Sequence, residues 1–463
     1  MTTKTPSSNL SSLGAGDVAH LLHPYTNLEA HEAQGPFVIT RGDGVYVFDE
    51  DGKQYLEAMA GLWCTALGFS EPRLAAAAEA QMRRLPFYHL FSHKSHDRAI
   101  ELAETLISMA PVPMSKIFFA NSGSEAVDTA VKLVWYVNNG RGLPAKKKII
   151  TRGRAYHGVS IAAASLTTLP ANQGDFDVPI AGIITTDCPH YYRGARDGES
   201  EEDFSTRLAG NLEKLILAEG PDTVAAFIAE PVMGAGGVIP PPAGYFDKVQ
   251  KVLKAFNILF IADEVICGFG RTGNWFGCDT FSLKPDIITL AKALTSGYLP
   301  MAAVMINQEL YQTIRGQSAK HGVFGHGFTY SGHPVPAAVA LETLKIYRER
   351  DIIDHVRKVG PRLQDGLRAF AGHPLVGEVR GLGLIAAVEL VRDKATKAPF
   401  DAKSAVGAYL AGRAQAHGLI LRALGNTVAF SPPLIISEAE IDELLAKFAL
   451  ALDDTEAMVA KQG

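Results

Sequence analysis

The stretch that decides the fold spans residues 258–300 and reads ILFIADEVICGFGRTGNWFGCDTFSLKPDIITLAKALTSGYLP. It contains two short apolar runs, residues 258–262 and 287–291, which are rich in branched side chains and bounded by Gly or Pro. Such runs are typical of buried strands in a parallel sheet. Asp263 follows the first run and Lys292 follows the second. Because open α/β sheets bind ligands at the carboxyl ends of their strands, both are candidate site residues.

Lys292 admits two interpretations. A lone lysine after an apolar run is more often a surface residue whose stem covers apolar atoms. The alternative is a Schiff-base lysine, whose amine is made neutral and nucleophilic by burial although its ordinary pKa is about 10.4. An acid, a glycine–serine loop and an aromatic–His pair all lie upstream. Together they favour the second interpretation, since they suit an aldehyde cofactor with a phosphate, a ring and a pyridine nitrogen.

The composition indicates an ordinary globular enzyme. The chain has 463 residues, 47% hydrophobic and 20% charged, which is enough for two or three domains that share one large core. The net charge is −5 and no basic run exceeds residues 146–148, so we expect no nucleic-acid partner. The four cysteines lack metal-ligand spacing, which predicts free thiols in a reducing compartment and no metal.

The chain also lacks sequence signals for export or membrane insertion. Its first residues are polar without an apolar segment, unlike a secretory signal. It contains no run of 18 apolar residues, so we expect no membrane span. These features predict a cytoplasmic protein in which residues 1–17, rich in Ser, Thr and Gly, are loosely held.

A strand, a turn of small residues and a helix follow one another near residue 120. Residues 115–120 are predicted as a strand, the turn reads NSGSEA from residue 121, and an amphipathic helix is predicted from about 125 to 136. This order is typical of a phosphate cup, in which N–H groups at the helix start bind the anion. A plain helix cap is the competing interpretation. The turn itself is neither a GxGxxG nor a Walker sequence, which disfavours a dinucleotide or a P-loop site here.

Two further strands are predicted to end in polar side chains. Tyr156 and His157 follow the strand at 147–151, and Glu230 follows the strand at 224–229, with a glycine-rich loop beyond it. The tyrosine is able to lie flat against a ring, although a loop tyrosine is more often rim packing. Trp63 is ambiguous in the same way, because core packing is its commoner role.

The alternation of strands and helices over residues 115–306 predicts a doubly wound α/β sheet. Residues 37–48 predict a hairpin, and residues 418–422 predict a strand that ends in arginine. We place an N-terminal arm and part of a small domain at 1–60, a large domain at 61–335 and a C-terminal small domain at 336–463.

These motifs in combination resemble the class III aminotransferases. DEVICGFGRTG from Asp263, AKALTSGYLP from Ala291, NSGSEA, YHG, the Glu230-Pro231 pair and FTYSGHP match that family, and the resemblance covers residues 23–433. It implies a pyridoxal 5′-phosphate enzyme of the aspartate-aminotransferase fold (fold type I), with a mostly parallel sheet and a smaller α+β domain built from both termini. HPYT, GLWC, LPFYHLF and HGFTYSGHP look most like the omega-amine:pyruvate transaminases. Ala293 departs slightly from the family, where Gly is common after the lysine.

The resemblance assigns the cofactor contacts. Lys292 would bind the aldehyde and move the substrate proton, while Asp263 would pair with the pyridine nitrogen. Tyr156 and Val265 would cover the two ring faces, and Glu230 would fix the polar edge. The remaining predicted cofactor contacts are Gly123, Ser124, His157, Phe328 and Thr329. Phe328 and Thr329 would come from a neighbouring subunit, which implies a homodimer, or possibly a tetramer, with shared active sites.

The resemblance also assigns the substrate pocket. Arg422 would swing in to pair with a carboxylate and swing out for an uncharged substituent, although a lone strand-end arginine is more often a surface residue. The other predicted substrate contacts are Tyr25, Trp63, Phe91, Tyr156 and Ala235. We therefore hypothesise a ping-pong transfer of an amino group from a primary amine or omega-amino acid to pyruvate or a similar keto acid. The alternatives are a decarboxylating transaminase or an aminomutase, a non-catalytic scaffold, and a cofactor-free lysine aldolase.

Overall fold

The computed structural model describes residues 10–461. The prediction that residues 1–17 are loosely held lies outside the described residues for 1–9 and is wrong for 12–17, which belong to a helix capped by the Ser11 side chain. The helices are α1 Ser12–His20, α2 Leu28–Gln34, α3 Ala60–Trp63, α4 Pro72–Arg84, α5 Asp97–Ser108, α6 Gly123–Gly140, α7 Ile161–Leu166, α8 Pro170–Gln173, α9 Tyr191–Gly194, α10 Glu201–Glu219, α11 Tyr245–Ala255, α12 Gly277–Phe281, α13 Gln308–His321, α14 Pro334–Glu349, α15 Ile352–Arg368, α16 Val406–Ala416 and α17 Glu438–Ala460.

The strands form three sheets. They are β1 Ile39–Asp43, β2 Tyr46–Asp49, β3 Gln54–Glu57, β4 Lys116–Ala120, β5 Lys148–Arg152, β6 Ile183–Thr186, β7 Val224–Ala229, β8 Leu259–Asp263, β9 Ile287–Leu290, β10 Ala302–Ile306, β11 Val376–Leu382, β12 Ile385–Leu390, β13 Leu419–Ile420, β14 Arg422–Leu424 and β15 Thr427–Phe430. Helix α6 begins two residues earlier than predicted because Ser122 caps it. In the described part of the chain, no helix combines the length and apolar character needed to cross a membrane.

The central sheet has seven strands in the order β4-β10-β9-β8-β7-β5-β6. Strands β9, β8, β7, β5 and β6 are parallel, while β10 runs antiparallel to both of its neighbours. The two central runs predicted from the sequence are β8 and β9, and every residue in them is buried. The predicted α/β architecture with a mostly parallel sheet is therefore confirmed.

Helices cover both faces of this sheet, which explains why its strands are apolar throughout. Along β8, Phe260 packs into the core cluster that contains Phe246 of α11, and Ile261 packs into the cluster that contains Val131 of α6. Successive residues of a strand point to opposite faces, so one strand serves two cores. Because helices cover both faces of the central sheet, polar groups can gather only at the ends of its strands.

One of the two smaller sheets joins segments from both ends of the chain, and the other is built from C-terminal strands alone. One has the order β1-β2-β3-β13, where the hairpin β1–β2 was predicted and β13 pairs in parallel with β3. The other has the order β11-β12-β15-β14. The prediction of one strand over 418–422 is wrong, because β13 pairs in one sheet and Arg422 begins β14 in the other. The domain boundaries after residues 60 and 335 stay a prediction.

A tight turn after β3 depends on one buried carboxylate. Glu57 accepts hydrogen bonds from the backbone N–H groups of Met59, at 3.2 Å, and of Gly61. Ala60 and Trp63, at φ 46° and 58°, lie in the left-handed region that L-residues seldom adopt. Burial raises the pKa of Glu57 to about 7, while the nearby Arg271 and the two N–H donors favour its ionised form. The turn places Trp63, so its geometry depends on Glu57.

We predict that Glu57→Gln makes the stability of the protein less dependent on pH between about 4.5 and 7, because the raised pKa of Glu57 means that the folded protein loses stability as the pH rises through this range, and an amide does not titrate. Urea unfolding at pH 5 and at pH 8 measures the change. Glu50→Gln, at an exposed position in the preceding turn, is the matched control and is expected to shift stability by less than about 0.5 kcal/mol. Equal unfolding curves for both variants would contradict the role assigned to Glu57.

Candidate active site

The carboxyl ends of β7, β8 and β9 meet at one edge of the sheet. Ala229 pairs with Ala262, and Asp263 pairs with Thr289, so Glu230, Asp263 and Thr289 lie in one row across three strands. A cavity of about 280 Å³ opens at this edge. Eight residues singled out from the sequence line it: Gly123, Ser124, Tyr156, His157, Glu230, Asp263, Val265 and Lys292.

Lys292 begins a 3-10 turn, Lys292–Thr295, and lies in the left-handed region at φ 49°. A backbone in that region is strained, and such strain is common where a side chain is aimed at a site. Burial lowers the pKa of the Lys292 amine, although the negative charge of Asp263 acts in the opposite direction. A lowered pKa increases the fraction of unprotonated amine, which is the nucleophilic form.

Both oxygens of Asp263 are held by donors. Oδ2 accepts from Nδ1 of His157 at 2.7 Å, and Oδ1 accepts from the hydroxyl of Thr289 and the N–H of Val265, each at 3.1 Å. The three contacts fix the position of the Asp263 carboxyl group. The buried Nε2 of His157 has no partner among residues 10–461. The arrangement holds a buried acid in one orientation at the edge of the cavity.

Glu230 connects two segments of the cavity wall. Its carboxylate accepts from the N–H of Tyr156 at 3.1 Å and from the N–H of Gly234 at 2.8 Å. Burial raises the pKa of Glu230. The side chain therefore fixes the start of the glycine loop and the backbone that carries the Tyr156 ring.

The start of α6 has the donors that an anion needs. Ser122 caps the helix by accepting from the N–H of Glu125 at 3.2 Å, and within residues 10–461 the N–H groups of Gly123 and Ser124 have no acceptor. These groups lie at the positive end of an 18-residue helix and face the cavity. A Cβ on Gly123 would lie 3.2 Å from Val265, so glycine keeps the space open. The start of α6 therefore fits a phosphate.

A second cavity of about 600 Å³ adjoins the first and shares Tyr156 and Lys292 with it. Its wall brings together five residues predicted for substrate binding, Tyr25, Trp63, Tyr156, Ala235 and Arg422. The Tyr25 hydroxyl donates to the Tyr156 hydroxyl at 3.3 Å. The guanidinium of Arg422 lies 5.0 Å above the Trp63 ring, and burial lowers its pKa. Arg422 therefore lines a pocket and is not the surface residue that a lone strand-end arginine more often is.

Three predicted residues lie away from both cavities. Phe91 is 45% exposed and packs beside Gly327, at the start of the segment that carries Phe328 and Thr329. Phe328 packs against Phe118, and Thr329 is exposed. Within one chain these residues do not reach the wall that contains Lys292.

The structure adds residues that were not predicted from the sequence. Thr289 holds Asp263, Asn172 donates to the hydroxyl of Tyr25, and Arg154 lines the second cavity. For Thr289 a signal was present, because a polar residue in a strand that is otherwise apolar needs a buried partner. For Asn172 and Arg154 the sequence offers no comparable signal, since loop residues of these types are usually solvated.

The chain is similar to known proteins in both sequence and structure. The sequence profile of the family Aminotransferase class-III matches residues 28–452. The chain is 52% identical over 460 residues to gamma aminobutyrate transaminase 3, chloroplastic, of Solanum lycopersicum, an alignment that covers 98% of this chain and 88% of the relative. An omega transaminase from Pseudomonas jessenii in complex with PMP superposes with a TM-score of 0.96 at 59% identity, covering 98% and 100% of the two chains. A transaminase with L-Ala superposes with a TM-score of 0.90 at 58% identity, covering 91% and 100%.

We predict that Lys292→Met stabilises the cofactor-free protein. The pKa of Lys292 is lower in the folded chain than the ordinary value of 10.5, so the unfolded chain binds the proton more tightly and the buried amine costs stability. The loss of stability is greatest below the pKa that Lys292 has in the folded chain, and it disappears as the pH rises to about 10.5. Melting temperatures at pH 7 and pH 10.5 measure it, with a gain of about 1 °C for each kcal/mol removed from a chain of 463 residues. A variant that melts lower than the parent at pH 7 would contradict the assignment.

Proposed function

The chain belongs to the class-III aminotransferases, which use pyridoxal 5′-phosphate, and from that premise we propose that it is an omega-transaminase. It transfers an amino group from a primary amine or omega-amino acid to pyruvate or a similar small keto acid, in two half-reactions of ping-pong type. The observation that carries this proposal is the position of Lys292 on the wall common to both cavities. One amine thereby serves a cofactor on one side and a succession of substrates on the other.

The residues of the first cavity fit the cofactor. Pyridoxal phosphate supplies an aldehyde that condenses with amines and a ring that withdraws electrons from the adjacent carbon. Gly123 and Ser124 donate N–H groups to its phosphate, and Tyr156 and Val265 cover the two faces of the ring. Asp263 would hold the ring nitrogen, while His157 and Glu230 fix Asp263 and Tyr156. This assignment accounts for the N–H groups at the start of α6 that have no acceptor and for the three donors that hold Asp263.

Lys292 acts as the base and then as the acid. Its lowered pKa would let the unprotonated amine take a proton from the substrate carbon that bears nitrogen and carry that proton within the site. The buried carboxylate of Asp263 opposes the fall in pKa, so the amine remains a useful acid in the reverse direction. Because Lys292 lies on the wall shared by the two cavities, its side-chain nitrogen would be within reach of both the substrate carbon and the cofactor.

Arg422 and Trp63 allow the second cavity to accept two unlike substrates. Stacked on Trp63, the guanidinium is a partly buried cation that pairs with the carboxylate of a keto acid. When an amine brings an uncharged substituent, the arginine swings away and leaves the aromatic walls of Tyr25 and Trp63. Ala235 lines the same cavity without filling it.

The second part of the proposal is a homodimer, possibly a tetramer, with shared active sites. Phe328 and Thr329 lie on the same exposed segment, and Phe91 packs beside it. We assign all three to the site of a neighbouring subunit, with Thr329 on the phosphate and Phe91 on the substrate. Phe91, expected from the sequence alone to line the pocket directly, would do so only across the interface. A cytoplasmic location remains part of the proposal, supported by the four free cysteines.

The visible spectrum of the cofactor-loaded protein tests the reaction class. We expect an absorbance band that requires Lys292, disappears on addition of an amine and returns with pyruvate, because each half-reaction changes the bonding at the cofactor aldehyde. The control is Lys292→Ala, which should lack the amine-sensitive band. A band in the parent that no amine alters would refute the transaminase, and carbon dioxide release from a dialkyl amino acid would favour the decarboxylating alternative.

Hybrid dimers test the shared site. Lys292→Ala and Thr329→Asp are each expected to be inactive, since one lacks the reactive amine and the other places a carboxylate against the phosphate. After both are unfolded and refolded together, half of the dimers are hybrids, and each hybrid has one intact site. We expect about a quarter of the parent activity to return. Activity that never exceeds the sum of the separate variants would contradict the shared site.

A further inference from the structure

Two imidazoles and a carboxylate converge in the N-terminal arm, residues 10–34. Nε2 of His23 lies 2.8 Å from Oδ2 of Asp17, and Nε2 of His31 lies 2.8 Å from Oδ1 of the same carboxylate. The two rings are tilted by 38° with their centroids 4.1 Å apart, so they lie side by side and direct the same nitrogen to one place. We call Asp17, His23 and His31 the arm cluster. One ligand atom from each residue lies within 4.8 Å of the other two.

The arm cluster has a donor set that suits zinc. Imidazole nitrogen and carboxylate oxygen both bind Zn²⁺ at about 2.0–2.2 Å, and three protein ligands with one water complete a tetrahedral site. Neighbouring ligand atoms around such an ion are about 3.4 Å apart, so the arm cluster would close on an ion with movements on the order of 1 Å. The cysteine spacing that predicted no metal has no bearing on a site made of histidine and carboxylate.

The charge of the arm cluster is also available to a cation. Within residues 10–461, no Lys or Arg nitrogen lies within 4 Å of the Asp17 carboxylate. A second group of possible ligands, around His190, shows the contrast, because the guanidinium of Arg380 already donates to its two carboxylates, Glu378 and Glu389. The three side chains of the arm cluster are 10–29% exposed. An ion can therefore enter from solvent and still be partly shielded once it is bound.

The arm cluster joins three parts of the arm. Asp17 belongs to α1, His31 belongs to α2, and His23 lies in the link between these helices. Tyr25, two residues after His23, lines the second cavity and donates to the Tyr156 hydroxyl. An ion held by all three ligands would therefore fix the segment that supplies one wall of that cavity.

We propose that Asp17, His23 and His31 form a zinc site that fastens the N-terminal arm beside the second cavity. The ion replaces the two hydrogen bonds to Asp17 with Nε2–zinc bonds, and each neutral imidazole then carries its hydrogen on Nδ1. The role is structural, because no ligand of the ion lines either cavity. The proposed transamination does not require zinc, so the zinc site and the reaction are tested independently.

Calorimetric titration of the cofactor-loaded protein with Zn²⁺ tests the site. We expect one ion per chain in the parent and binding at least about 10-fold weaker in His31→Gln, because one ligand is lost. Glutamine at this position can still donate an N–H to Asp17 but has no ring nitrogen for zinc, so the hydrogen-bonded arm is kept. Mg²⁺, which prefers a shell of oxygen ligands, is expected not to compete.

His20→Gln is the matched control, since it removes an exposed histidine of α1 that lies outside the arm cluster. It should bind Zn²⁺ as the parent does. Absence of zinc binding in the parent would overturn the proposal and would leave the arm cluster as a pair of hydrogen bonds. Equal binding in the parent and in His31→Gln would overturn it as well, because the ion would then be bound elsewhere.

Cleavage by a glutamate-specific serine protease measures the fastening of the arm. Glu29 and Glu32 lie in α2, on either side of His31, and they become accessible to the protease when the helix opens. With Zn²⁺ at ten times its dissociation constant, we expect cleavage after these residues to slow about 10-fold in the parent and to be unchanged in His31→Gln. Mass spectrometry identifies the cut. A parent that binds zinc but is cleaved at the same rate would refute the fastening role.

Discussion

The register of three parallel strands is the constraint on which the site depends. Pairing of Ala229 with Ala262 and of Asp263 with Thr289 brings Glu230, Asp263 and Thr289 into one row at the carboxyl edge. A slip of one residue along any strand would turn its side chains to the opposite face. That slip is prevented because both faces are packed under helices, with Phe260 in one core and Ile261 in the other. The packing that stabilises the fold thus also aligns the polar groups.

Burial then gives these groups their chemistry. The same removal of water lowers the pKa of Lys292 and raises the pKa of Glu230. Asp263 is instead held in one position by three donors. The site therefore combines an amine of lowered pKa with an acid of fixed orientation on the neighbouring strand. Neither group would behave in this way on a solvated surface.

The two cavities have different roles in the proposed reaction. The smaller one contains Asp263 and Glu230, and its donors at the start of α6 match a phosphate. The larger one has aromatic walls and basic side chains without an acid, which suits substrates that are apolar or anionic. Lys292 and Tyr156 belong to both. A single strained residue, Lys292, thereby links the fixed cofactor to exchangeable substrates.

The sequence by itself determined the α/β class, the strands around residues 258–292, and the residues of the first cavity, because short apolar runs and the motifs that follow them are local signals. Only the tertiary structure decided which residues meet. It divided residues 418–422 between two sheets, grouped Phe91 with Phe328 and Thr329 away from Lys292, and brought Arg154 and Arg422 to the wall of one cavity. The physical reason is that strand pairing, interface exposure and the lining of a cavity depend on contacts between distant segments, to which no local pattern of residues corresponds.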